Sequence, residues 1–70
     1  MAATTNQPAS ILRLAQVISR TGLSRSTIYQ RIYEDDFPRQ INLGANSVGW
    51  VEAEIDEWIA TRIEQSRKAA

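Results

Sequence analysis

Apolar side chains between residues 14 and 21 follow the spacing of one helical face. Leu14, Val17 and Ile18 occupy positions i, i+3 and i+4 of this stretch, so they lie on the same side of a helix. Gly22 follows directly, and glycine readily takes the left-handed conformation in which many helices end. The pattern therefore predicts a first helix over residues 14–21.

A second helical pattern begins after a short gap. Ser24 is a favourable N-cap, because its hydroxyl can accept a hydrogen bond from a free backbone N–H of the first turn. Ile28 and Ile32 are then one helical turn apart, which predicts a second helix over residues 25–33. Two helices joined by a turn at residues 22–24 form a helix-turn-helix.

The period of the pattern changes to two in the next stretch. Ile41 and Leu43 alternate with polar residues, and Val48 and Trp50 alternate in the same way. Between the two runs lie the small and polar residues 44–47. Alternating runs separated by such a loop predict a β-hairpin.

The last stretch of the chain has the clearest helical pattern. Five residues lie at positions i, i+3, i+4, i+7 and i+8, on one face: Ile55, Trp58, Ile59, Arg62 and Ile63. Arg67 and Lys68 follow this face, where the helix dipole favours cations. The order helix, helix, hairpin, helix predicts a mainly α fold with a small β-hairpin, the winged helix-turn-helix.

A chain of 70 residues is long enough for one small domain. We place this domain at residues 11–66, between a flexible polar leader at residues 1–10 and a tail at residues 67–70. The sequence contains no Cys, no His and no long apolar run, which argues against a disulfide, a thiolate or imidazole metal site and a membrane span. We therefore expect a cytoplasmic protein that uses neither a metal nor another cofactor.

Charge is distributed unevenly along the chain, although the formal net charge is zero. The cations of residues 1–33 are all Arg and no acidic residue accompanies them, whereas acidic residues outnumber basic ones in residues 34–70. Arg has a planar fork that suits phosphate groups and guanine edges. One interpretation is a surface that faces a polyanion, and the other is an ordinary solvated surface.

Catalysis is not indicated by the sequence. The acidic cluster Glu34–Asp35–Asp36 consists of consecutive residues, whose side chains point in different directions. No phosphate-binding motif or distant acidic partner completes a site. We expect these carboxylates to be solvated loop charges and the protein not to be an enzyme.

The outward side of the second helix carries the candidate DNA-binding residues. With its two isoleucines turned inward, Ser26 and Gln30 point outward. Thr27 and Arg31 lie on one flank. The start of this helix has free N–H groups that attract anions, and helix-turn-helix proteins insert this end into the major groove. The predicted DNA-binding residues are Arg13, Arg20, Ser24, Arg25, Ser26, Thr27, Gln30, Arg31 and, in the hairpin turn, Asn46 and Ser47.

Short motifs over residues 11–64 together resemble the AlpA family of prophage regulators, which is related to phage excisionases and to MerR-type winged helices. The motifs are ILRL at residues 11–14, Val17, TGLSRSTIY at 21–29, FP at 37–38, LG at 43–44, VGW at 48–50 and EIDEWI at 54–59. The resemblance implies a winged helix-turn-helix with its recognition helix at residues 24–33 and its wing at residues 40–50.

The resemblance also implies a function, namely sequence-specific binding of double-stranded DNA as a prophage transcriptional regulator. Its targets would be integrase or excision genes, or it would itself act as an excisionase. Since about four cations give only weak DNA binding, we expect a homodimer or a cooperative oligomer on DNA, with phage integrase as a further candidate partner. The alternative is a phage-encoded protein-binding module that inhibits a host regulator through its acidic half.

Overall fold

The computed structural model of the protein describes residues 10–69, so the leader predicted at residues 1–10 lies, apart from Ser10, outside the described residues. Within this range the chain forms six elements. In chain order they are β1 (Ile11–Leu12), α1 (Leu14–Thr21), α2 (Arg25–Tyr33), β2 (Ile41–Gly44), β3 (Ser47–Val51) and α3 (Glu52–Ala69). The predicted winged helix-turn-helix is confirmed, and α1 and α2 have the predicted bounds.

The helices of the helix-turn-helix begin and end where the local chemistry favours it. Gly22 has a left-handed φ of 76°, and its N–H donates to the carbonyl of Ile18 over 2.8 Å, which ends α1. The hydroxyl of Ser24 accepts the backbone N–H of Thr27 over 3.2 Å and so caps α2. The hydroxyl of Thr21 donates to the carbonyl of Val17 in α1 and accepts the backbone N–H of Leu23 in the turn. The end of α1 and the turn that follows it are thereby held together by the Thr21 side chain.

Within the described part of the chain, three strands form an antiparallel sheet in the order β1–β3–β2. Leu12 of β1 lies opposite Trp50 of β3, and Ile41 of β2 lies opposite Gly49. Only a glycine fits at this position of β3, because a Cβ on Gly49 would lie 2.5 Å from Cγ2 of Ile11. Strands β2 and β3 form the predicted hairpin, which we call the wing.

The core receives side chains from all three helices, from the sheet and from the loop after α2. Among residues 10–69 the buried apolar side chains are Leu12, Val17, Ile28, Ile32, Phe37, Trp50 and Ile55. Trp50 is fully buried, and its ring lies edge-on to Tyr29 with 6.3 Å between the centroids. Its indole N–H donates to the carbonyl of Pro38 over 3.1 Å. These contacts hold the wing against α2.

The loop after α2 is tied to α3 by Asp36. Its carboxylate accepts hydrogen bonds from Arg31 over 2.9 Å and from Arg62 over 2.5 Å. Its backbone carbonyl accepts the indole N–H of Trp58 over 2.9 Å. Asp36 is therefore a half-buried structural carboxylate, and the expectation of a solvated loop charge is wrong for this residue.

Helix α3 packs on the core through its first half. Ile55 is fully buried, and Trp58 and Ile59 are partly buried against the same cluster. Ile63 is 47% exposed, so the predicted apolar face leaves the core towards the C-terminal end. The helix continues through Ala69, and the domain end at residue 66 stays a prediction.

Candidate nucleic-acid interface

A shallow groove runs along the solvent side of α2, and we call the residues that line it the α2 strip. They are Ser26, Thr27, Gln30, Arg31 and Glu34. The first four are predicted site residues, which the structure brings together on one side of the helix. Glu34 is not among the predicted site residues. Its i+4 spacing from Gln30 indicates that the two side chains are neighbours on the helix, and this spacing could have identified it.

The start of α2 combines a neutral cap with a free cation. The Ser24 hydroxyl accepts the N–H of Thr27 and donates to the Thr27 hydroxyl over 2.9 Å, so both hydroxyls are engaged in the cap. Arg25 is exposed, with its guanidinium 5.9 Å from the ring centroid of Tyr29. Among residues 10–69 no carboxylate forms an ion pair with Arg25. The strongest site for an anion at this end is therefore Arg25 beside the free N–H groups of the helix.

Gln30 and Glu34 are linked across one turn of α2. The side-chain N–H of Gln30 donates to Oε2 of Glu34 over 2.8 Å. Glu34 is also the C-cap of the helix, and its backbone N–H donates to the carbonyl of Gln30 over 3.0 Å. Both the backbone and the side chain of Glu34 are thus held against Gln30, which fixes the direction of the Gln30 amide.

Arg20 is a predicted site residue that lies within an internal ion-pair cluster. Its guanidinium contacts the carboxylate of Glu52 at 2.5 Å and that of Asp56 at 2.7 Å. The hydrogen bond to Glu52 raises the pKa of Arg20 above its ordinary value, and the charge of Asp56 adds to the rise. A cation of the basic half of the sequence is therefore already neutralised by the acidic half.

Arg31 and Arg13 are engaged as well. Arg31 pairs with Asp36 at 2.9 Å, and its Nε has no hydrogen-bond partner within the described part of the chain. Arg13 donates from Nε to the carbonyl of Val48 over 3.0 Å and so connects the end of β1 to the wing. Of the four Arg predicted as site residues, Arg25 alone has a side chain that forms neither an ion pair nor a hydrogen bond among residues 10–69.

The turn of the wing presents Asn46 and Ser47. Asn46 is exposed and takes a left-handed φ of 58°, a conformation that Asn tolerates better than most residues. The hydroxyl of Ser47 donates to the carbonyl of Ala45 over 3.4 Å. Asn46 therefore offers an unhindered amide at the tip, whereas Ser47 is turned back towards the loop.

Arg39 is a cation that the predicted site omits. With Gln40 it lines the groove between Ile32 of α2 and the wing. Its ion pair with Asp35 is long, at 3.5 Å, and both side chains are largely exposed, so the pair is weak. Its position directly before the wing was the available signal.

The sequence matches the family described as prophage CP4-57 regulatory protein (AlpA) over residues 10–63. The chain belongs to this family. It is 50% identical over 58 residues to the DNA-binding transcriptional activator AlpA of Escherichia coli strain K12, covering 74% of this chain and 83% of that protein. It is 46% identical over 52 residues to the uncharacterized protein ORF88 of Enterobacteria phage P4, covering 74% of this chain and 59% of that protein. The family resemblance seen in the sequence motifs is thereby confirmed.

In this AlpA family member a further open groove lies between α3 and the loop after α2, and we call it the α3 groove. Pro38 and Trp58 contribute apolar surface to it, and Glu54 and Glu57 are acidic residues on its α3 side. Neither of these two glutamates forms an ion pair within residues 10–69. The groove shares no residue with the α2 strip, so the molecule presents two chemically different surfaces.

Two other kinds of site are absent from the described part of this AlpA family member. Among residues 10–69 no three His, Cys, Asp or Glu side chains are grouped so that they could hold a metal ion. No helix in that range is sufficiently long and apolar to cross a membrane.

Proposed function

We propose that this AlpA family member is a sequence-specific regulator of prophage transcription that binds double-stranded DNA. The observation that carries the proposal is the start of α2, where exposed Arg25 and Ser26 flank free backbone N–H groups. The core contacts of Trp50 with Tyr29 and Pro38 hold the wing against the same helix. The similarity to an E. coli protein described as a DNA-binding transcriptional activator supports the same class of function.

In the proposed complex the start of α2 enters the major groove. Arg25, Ser26 and Gln30 face base edges, and the capped hydroxyls of Ser24 and Thr27 stabilise the helix rather than reading bases. The wing tip lies against the sugar-phosphate backbone, where the exposed amide of Asn46 can contact a phosphate. Ser47 lies further from the DNA than Asn46. The other predicted contacts are already bonded within the protein. Arg20 and Arg31 would have to break their ion pairs with carboxylates to reach DNA, and Arg13 would have to break its hydrogen bond to the carbonyl of Val48.

Few free cations imply weak binding by a single copy. Each neutralised phosphate contributes about −0.9 to the slope of log K against log salt. Of the cations on α2 and directly before the wing, Arg25 has no ion pair among residues 10–69 and Arg39 has only a long, exposed one. A slope near −2 for one copy follows from about two such contacts. We therefore propose that the protein occupies DNA as a homodimer or as a cooperative oligomer on repeated sites.

The proposed targets are promoters of integrase or excision genes in the bacterial cytoplasm. A protein that binds several adjacent sites could equally shape attachment-site DNA as an excisionase, with phage integrase as its partner. The two roles differ in the DNA that is bound. Promoter DNA and attachment-site DNA are therefore both needed as probes.

The test is fluorescence anisotropy with promoter, attachment-site and random duplexes over a series of salt concentrations. We expect tighter binding to one of the two prophage duplexes, and about a tenfold loss of that affinity in Arg25→Ala, since one good base contact gives about 1–3 kcal/mol. Arg67→Ala is the matched control, because Arg67 is exposed in the last turn of α3. Equal affinity for all duplexes at low salt would contradict the proposal.

The protein-binding alternative would use the α3 groove, because Glu54 and Glu57, which form no ion pair within residues 10–69, suit a basic segment of a host regulator. A pull-down from host lysate separates the two functions. Binding through this groove would survive Arg25→Ala and be lost in a Glu54→Ala, Glu57→Ala double variant. The DNA-binding proposal predicts the reverse for both variants when the probe is prophage DNA.

A further inference from the structure

We propose that Gln30 reads an adenine in the major groove, and that Glu34 is the positioning residue that makes it select adenine over guanine. This inference rests on the proposed DNA-binding function. Beyond that function it names the base that is read, and it gives the Glu34 carboxylate a role that requires no contact with DNA. The observation behind it is the hydrogen bond between the Gln30 amide and the Glu34 carboxylate.

The hydrogen-bonding capacity of Gln30 is limited by this bond. A Gln side chain has two N–H donors and one carbonyl oxygen. One donor of Gln30 is held by Oε2 of Glu34 at 2.8 Å. One donor and the carbonyl acceptor therefore remain for a ligand, and the carboxylate prevents both N–H groups from turning towards the same ligand.

This remaining pattern matches one purine and mismatches the other. In the major groove adenine presents the N7 acceptor and the N6 donor, whereas guanine presents two acceptors, N7 and O6. An amide that offers one donor and one acceptor satisfies adenine at both positions. Against guanine its carbonyl oxygen would face O6, so two acceptors would be left in contact without a hydrogen between them.

Gln30 is the residue of the α2 strip that carries a side-chain amide. Gln30 is exposed and lies about 7.5 Å along the helix axis from Arg25, at 1.5 Å per residue. The neighbouring Arg31 donates to the carboxylate of Asp36, so its guanidinium is not turned towards a base. The C-capping backbone bond from Glu34 to the Gln30 carbonyl keeps the carboxylate in place. The orientation of the amide is thus set before DNA binds.

The experiment is selection of binding sites from a random duplex library, followed by affinity measurements on single-base variants of the selected site. The wild-type protein is expected to prefer adenine over guanine at one position by about tenfold. Gln30→Ala should lose the preference at that position alone. Glu34→Ala should reduce it to about twofold, because the second N–H is then free for guanine.

Glu34→Gln separates positioning from charge. Its amide carbonyl can still accept the N–H of Gln30, so most of the adenine preference should remain, although the same charge is lost as in Glu34→Ala. Glu57→Ala is the control for removing an exposed carboxylate elsewhere and should leave the preference unchanged. The three substituted residues all have exposed side chains, and circular dichroism verifies that each of the four variants folds.

The outcomes distinguish this inference from the function on which it rests. If Glu34→Ala binds every duplex more tightly and keeps the tenfold preference, Glu34 acts only by repelling phosphate, and the inference is overturned while DNA binding stands. If the selected site contains no position that responds to Gln30→Ala, the inference is again wrong. If the wild-type protein selects no site at all, the proposed function itself fails.

Discussion

The two ends of α2 differ in whether their charged side chain is paired within the protein. At its start, Ser24 and Thr27 form a neutral cap and Arg25 has no carboxylate partner among residues 10–69. At its end, Arg31 is bound by Asp36 and the Gln30 amide by Glu34. One end leaves its cation available to an external anion, whereas at the other end carboxylates of the protein already bind the cation and one N–H of the amide.

This difference shows that charge in the sequence is not the same as charge available to a ligand. The Arg-only first half suggests a basic face, but Arg20 and Arg31 are both paired with carboxylates of the acidic half. The free electrostatic attraction is concentrated at Arg25 instead of spread along the helix. An anion should therefore be drawn to the start of α2, which is the end that helix-turn-helix proteins present to bases.

The largest effect on this comparison should come from Asp36→Asn. The substitution removes the charge that holds Arg31 and Arg62, and hydrogen bonds to charged groups contribute about 1.5–3 kcal/mol each when buried. Since these side chains are about half-exposed, we expect a loss of about 1–2 kcal/mol in the free energy of unfolding. Thermal denaturation followed by circular dichroism should show a fall in Tm of about 4–16 °C.

Asp35→Asn is the matched control for Asp36→Asn. Asp35 has a left-handed φ of 62°, a conformation that Asn also tolerates, so this neighbouring substitution changes charge alone. Its effect on unfolding should stay within about 0.5 kcal/mol. Asp36→Asn should additionally bind random DNA more tightly at low salt, because Arg31 is released. Equal stability of the two variants would mean that the charge of Asp36 has no structural role.

The sequence could predict what depends on local periodicity. The 3.6-residue spacing placed α1 and α2, glycine and serine placed their ends, and the two-residue alternation placed the wing. The pairing of Arg20 with Glu52 and of Arg62 with Asp36 could not be predicted in this way. These partners are 32 and 26 residues apart, so they meet only once the core has positioned α3.

Ser24 provides a test of the start of α2, with a smaller expected effect. Loss of the capping hydroxyl in Ser24→Ala should cost about 1 kcal/mol of stability, whereas Ser24→Gly should cost only a few tenths. Because both hydrogen-bonding directions of the hydroxyl are engaged with Thr27, the glycine variant should keep its DNA affinity within about twofold when binding is measured well below its Tm. A tenfold loss in Ser24→Gly would assign the hydroxyl to DNA instead of the cap.

The smallest effect is expected for Arg20→Gln, which tests directly whether paired and unpaired Arg differ in DNA binding. Arg20 and Arg25 are both exposed Arg of the basic half, but Arg20 is held by Glu52 and Asp56 and Arg25 is not. Arg20→Gln should therefore change DNA affinity by less than about twofold, whereas Arg25→Ala lowers it about tenfold. If Arg20→Gln matched the loss in Arg25→Ala and also flattened the salt dependence by about one unit, Arg20 would have to leave its carboxylates when DNA binds, and the available charge would extend beyond the start of α2.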